Sequence, residues 1–150
     1  MRAVPDVPRW LGLAGLLPQI GLVAALYAGP PEWREPAALL AYLYAGLIFA
    51  FLGGTWWGIA ACAPAAHRRR THGWVWIAGV LPSLIAFAGL APPLLGALPI
   101  EPSLVALGGG LLISPAVDAR LGALAPRWWM GLRMPLSLGL GTLTIAAALA

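Results

Sequence analysis

Ser103 to Leu121 reads SLVALGGGLLISPAVDARL, and the fold turns on whether this stretch crosses a membrane. It carries Gly108-Gly109-Gly110 and Pro115, poor helix residues in water. Inside a membrane bundle they are tolerated, because neighbouring helices supply packing and polar partners. The arginines decide the matter. The chain has nine basic residues, all arginine. If Ser103–Leu121 crosses, Arg2, Arg9, Arg68, Arg69, Arg70, Arg120, Arg127 and Arg133 lie on one side, with Arg34 alone on the other. If it does not cross, the last three change sides and the partition falls to five against four. Span-flanking arginine is retained on the cytoplasmic side, so the eight-to-one division favours a crossing.

Working outward from this stretch, the spacing predicts five spans over about 10–28, 37–62, 74–91, 103–121 and 134–150. Gly29-Pro30-Pro31, with Glu32, Arg34, Glu35 and Pro36, ends the first. Pro64 and the cluster His67 to His72 close the second. Pro92-Pro93 break the third and leave Leu94–Ile100 as a short interfacial piece. Pro135 falls in the first turn of the fifth, where a missing N–H costs least. The expectation is an all-α integral membrane bundle of five transmembrane helices with short loops and a single domain over 1–150. Its N-terminus is cytoplasmic and its C-terminus lies on the opposite side. The first stretch is read as a retained span and not a cleaved leader, because it is long, interrupted by Pro18-Gln19, and has Leu26 where cleavage wants a small residue.

Composition agrees. At 61% hydrophobic and 9% charged, with a mean hydropathy of +0.85, the chain departs far from soluble domains, which carry about 25% charged residues. A net charge of +4 raises nucleic acid as a partner, but the arginines sit in short segments between apolar stretches, which excludes it as the expectation. The single cysteine, Cys62, cannot form an internal disulfide or a zinc cluster. No HExxH, CxxC or phosphate-loop pattern occurs, and both histidines flank the arginine run, so no metal and no cofactor is evident.

Two constellations carry the candidate sites. On the second span Gly46, Ala50, Gly54 and Gly58 recur every four residues, with Gly53 beside them. Small residues let another helix backbone approach closely, either within this chain or in a homo-oligomer or partner membrane protein. Asp118 is the one acidic residue near a span interior, and ionisable groups at such depth are usually paired or functional. A structural ion pair with Arg120 or Arg133 is the plain reading. Trp56, Trp57, Trp128, Trp129, Arg120 and Arg133 belong to the same inner face. With Asp118 they form an aromatic and cationic rim suited to a lipid head group, an anionic ligand or a partner. The polar residues Gln19, Thr55, Ser83, Ser114, Thr142 and Thr144 are scattered and expected to bond to their own backbones.

These motifs resemble a known group. FLGGTWWG (Phe51 to Gly58), VLPSLIAF (Val80 to Phe87), the isolated Asp118, and Pro126-Arg127-Trp128-Trp129 with Leu132-Arg133 are similar, in order, to motifs of the transmembrane protein 69-like family. GLAGLLP (Gly12 to Pro18) fits its N-terminal span. That family is a domain of unknown function found in small bacterial and mitochondrial membrane proteins. Trp56 stands where the family often has histidine, so the imidazole a proton or metal role would need is missing; Trp129 replaces a common tyrosine. The resemblance implies a multi-span protein of the bacterial inner or the mitochondrial membrane, with no established reaction. The expected role is a non-catalytic accessory, assembly, or lipid- or partner-binding subunit of the bacterial inner membrane. The alternative is a small proton-coupled or solute transporter with Asp118 as its ionisable site. An enzyme acting on lipid head groups is disfavoured, because no paired acid and base can be located.

Overall fold

A computed structural model describes residues 4–63 and 73–150; His67, Arg68, Arg69, Arg70 and His72, and also Arg2, lie outside the described residues. The described chain is helical, with no strand. The helices are α1 (Asp6–Ala14), α2 (Leu17–Ala28), α3 (Arg34–Ala61), α4 (Gly73–Leu94), α5 (Glu101–Leu121) and α6 (Trp129–Ala147), with short 3-10 turns at Pro31–Trp33 and Gly122–Leu124. Among the described residues four segments are long and apolar enough to cross a membrane: Asp6–Ala28, Pro31–Ala61, Gly73–Leu94 and Glu101–Leu124. The arginine-bearing α6 is 19 residues long and packs along α5.

Two antiparallel pairs make the body of the bundle, α3 with α4 and α5 with α6. Each pair closes on facing glycines. A Cβ on Gly53 would collide with the Gly79 carbonyl oxygen, and one on Gly108 would sit 2.8 Å from the carbonyl oxygen of Gly141. Backbones meet here without intervening side chains, the mode of helix association that lipid favours. Tyr42 fastens the far end of the first pair, donating to the Ala86 carbonyl at 2.9 Å. The core is built largely from α3 and α5: Ala41, Tyr42, Ala45, Phe49, Leu104, Leu107 and Leu111 are all buried.

Helix boundaries depart from the sequence reading at several places: α3 begins at Arg34 and not Ala37, and α5 at Glu101 and not Ser103. The first span begins at Asp6, not near Trp10, and is broken at Gly15-Leu16 into α1 and α2. Pro18 has no N–H to give to Ala14, the chain tightens with Leu16 bonding to the Leu13 carbonyl at 3.0 Å, and the carbonyl of Gly15 accepts the Tyr44 hydroxyl instead. The third span does not stop at Pro92-Pro93. It runs to Leu94, because the two prolines forfeit only their own N–H bonds, and it ends at Gly96. Gly96 takes φ +68°, its N–H bonds to Pro93 and that of Ala97 to Pro92, which is a Schellman closure. The last helix starts at Trp129, five residues before the expected Met134, and ends at Ala147.

Candidate functional site

Asp118 sits one turn from the end of α5 and is 1% exposed. Three donors from two other helices converge on it. Trp56 of α3 and Trp129 of α6 each give an indole N–H to Oδ1 at 2.8 Å. Arg133 of α6 gives its Nε–H to Oδ2 at 2.9 Å. Indole and guanidinium are donors only, so in all three bonds the carboxyl oxygens accept. The expected ion pair is therefore made with Arg133. Arg120, two residues along α5, points outward and is exposed.

The pair continues into α5 and α6. Arg133 donates a second bond through Nη2 to Ser114 Oγ at 3.2 Å. Ser114 gives its own proton to the Leu111 carbonyl at 2.8 Å, so in its 3.2 Å contact with Ser137 the latter is the donor. Ser114 is then saturated, donating once and accepting twice. Arg133, Ser114 and Ser137 are all buried. Breaking such a network strands a charge away from water, and the geometry supplies what a buried ion pair needs, further hydrogen bonds to Asp118 Oδ1 and Arg133 Nη2.

Ser114 and Ser137 are the residues sequence reasoning did not place in the site. The usable signal was spacing. Ser114 and Asp118 are four apart, as are Trp129, Arg133 and Ser137, so each set lies on one helix face. A second buried polar contact lies at the far end. Gln19 of α2 donates to Thr144 of α6 at 3.3 Å, Thr144 bonds to the Leu140 carbonyl, and Gln19 Oε1 is buried without a hydrogen-bond partner among the described residues.

The rim does not assemble as a whole. Trp57, adjacent to Trp56, turns outward and meets Trp76 edge-on, ring centroids 4.7 Å apart. Trp128 is half-buried beside Trp129, centroids 6.0 Å apart. The small-residue stripe divides as well. Gly46 packs on Ala86 of α4, Gly53 on Gly79, and Ala50 is half-buried, whereas Gly54 and Gly58 have open space where a Cβ would stand.

Two recesses flank the Asp118 cluster. One, of about 440 Å³, is a groove between α1–α2, α3 and α6, lined by apolar side chains and by Thr55, Arg133 and Ser137. The other, of about 450 Å³, lies under the α5–α6 connection against Asp118, Arg127 and Trp129. Trp129 borders both. Among the described residues no group of three or more His, Cys, Asp or Glu is placed to hold a metal ion.

No curated protein matches the chain, and no solved structure does. The family model described as "Protein of unknown function (DUF3429)" matches residues 4–149. Trp56, Asp118, Trp129 and Arg133 all lie within that match, and the chain belongs to this family of unknown function.

Proposed function

We propose that this protein is a non-catalytic lipid-binding subunit of the bacterial inner membrane, spanning it five times with the N-terminus cytoplasmic. At 19 residues, α6 would rise about 28 Å, close to the roughly 30 Å of a hydrocarbon core. Its buried Arg133 is neutralised by Asp118, which removes the main objection to its crossing. The motif order further supports grouping the chain with transmembrane protein 69.

One observation carries the functional reading. Asp118 accepts from Trp56, Trp129 and Arg133, so it serves as a clamp joining α3, α5 and α6. A carboxylate held by three donors and paired with Arg133 has a structural task, which favours this reading over the transporter alternative. The residues left outward at the same end, Trp57, Arg120, Arg127 and half-buried Trp128, would each stand at the depth of anionic head groups. The test is gentle extraction followed by lipid mass spectrometry. Replacing Arg120 and Arg127 together by glutamate should strip retained anionic lipid. Unchanged lipid content would overturn the reading.

A partner protein is the second reading, favoured by the bare strip at Gly54 and Gly58, which leaves room for another membrane helix. Gly54→Leu should then abolish a crosslinked or co-purified partner without altering the fold.

A further inference from the structure

The groove beside Arg133 has a chemistry that narrows its occupant. Its walls are apolar, with Leu136 and Leu140 along α6 and Leu11 and Phe51 at its lips. Leu11 is 69% exposed and Phe51 66%, so the groove opens sideways between α1 and α3, towards lipid in the membrane-spanning reading. It exists because the first span breaks at Gly15-Leu16, both of which line it.

Almost every polar group at the groove is already satisfied. Thr55 donates to the Leu52 carbonyl and Ser137 to Ser114. The exception is Arg133. This side chain is 95% buried, being 5% exposed. It spends Nε on Asp118 and Nη2 on Ser114, and its Nη1 has no acceptor among the described residues. Nη1 is also absent from the buried unpaired atoms, of which Gln19 Oε1 is the single example among the described residues. It therefore retains a little accessible surface, and Arg133 lines the groove. The groove thus offers one free donor, Nη1, beside two hydroxyls whose protons are already given. Because Asp118 already balances the guanidinium, what it lacks is an oxygen acceptor and not a negative charge.

We infer that the groove holds one acyl chain of a bilayer phospholipid, whose ester carbonyl oxygen accepts a hydrogen bond from Arg133 Nη1. Three features fit. A volume of about 440 Å³ lies at the lower end of ligand pockets, about 300–1,000 Å³, which suits one chain and not two. Arg133 lies four residues beyond Trp129, about 6 Å inward along the helix, below the level of interfacial tryptophans, where the ester groups of a phospholipid lie. The lateral opening lets the lipid enter from the bilayer without leaving it. This inference rests on the lipid-binding reading above but concerns a different surface with a different selectivity. The outward arginines choose by head-group charge; the groove chooses by the ester.

The two are separable in one experiment. The purified protein is reconstituted with phospholipids bearing a diazirine in one hydrocarbon chain, in four forms: phosphatidylglycerol, phosphatidylcholine and the diether analogue of each; a free fatty acid is the fifth probe. Crosslinked peptides are then mapped. The expected result is labelling concentrated on Ile48–Thr55 and Leu132–Leu140, equal for the two ester lipids whatever their head group. The diether forms should lose about fivefold, the worth of one hydrogen bond. Thr55→Phe, and independently Ile48→Trp, should block that labelling by filling the groove, while the Arg120 and Arg127 double variant should leave it intact. Labelling spread evenly over other exposed side chains such as Phe87 and Ile113, indifferent to both groove variants, would mean ordinary boundary lipid and overturn the inference. So would labelling by the fatty acid alone, or equal labelling by ester and ether. If instead the arginine double variant keeps its anionic lipid while the groove pattern holds, the rim reading fails and the groove stands.

Discussion

Trp56 and Trp129 lie on different helices, 73 positions apart by their numbers, yet their indole N–H groups end on the same oxygen of Asp118, each at 2.8 Å. One carboxylate oxygen thus fixes the register of α3 against α6 although α5 provides it. The second oxygen is left for Arg133, and the two tryptophans shield that ion pair on the α3 and α6 sides.

Removing the acid alone should be far worse than removing the pair. Asp118→Asn leaves the Arg133 guanidinium buried without its counter-ion, at a cost of about 3–5 kcal/mol. Adding Arg133→Met to Asp118→Asn should recover most of that loss. Thermal unfolding in detergent of the two single variants and the double one reads the coupling; additive effects would show that the pair is not a unit.

Gly53 and Gly54 are neighbours in sequence with opposite sensitivities. Gly53→Ala drives a methyl into the Gly79 backbone, an overpacking expected to cost about 1–3 kcal/mol. Gly54→Ala meets nothing within 4 Å and should change stability by less than about 0.5 kcal/mol. Equal melting shifts for the two would contradict the α3–α4 contact.

Gln19→Met should be neutral or stabilising. The substitution removes a buried amide oxygen with no partner among the described residues, whose cost is about 1–3 kcal/mol, and sacrifices a single 3.3 Å bond. Thr144 keeps its bond to Leu140. A melting temperature several degrees below that of the unaltered protein would show that Gln19 is satisfied in some other way.

Cys62 gives a direct measure of orientation. It is the one cysteine in the chain, it is exposed, and it lies at the end of α3 near the Asp118 cluster. With the N-terminus cytoplasmic, a membrane-impermeant maleimide should modify it in inverted vesicles and not in intact spheroplasts. The reverse pattern would turn the bundle over.

Helix content and the pairing of Asp118 were legible in the sequence because both follow from strong, local constraints. Long apolar runs must be helical in lipid, and a lone acid at depth needs a cation. The phase of the glycine stripe was not legible from a spacing of four. An α-helix turns about 100° per residue, so Gly58 lies about 120° around from Gly46, while Gly53, seven residues on, returns to within about 20°. The seam is accordingly Gly46 with Gly53, and Gly54 and Gly58 drift off it. Ser114 and Ser137 were missed because a serine in an apolar helix usually bonds to its own backbone. Ser114 does that to Leu111 and still accepts from Arg133.

The contacts of the first span carry a consequence for synthesis. α2 rests on α3 but also on α6, through Gln19 to Thr144 and Tyr27 to the Ala146 carbonyl, and α1 touches α6 as well. α1 and α2 therefore cannot finish docking until α6, made later, has left the ribosome. Until then Gln19 lacks Thr144, the Asp118 carboxylate lacks Arg133, and the groove has no third wall. Chains stopped before Trp129 should be held by the insertion machinery or degraded, and pulse-labelling of such truncations measures it. In this molecule α6 closes a circle that α1 and α2 began.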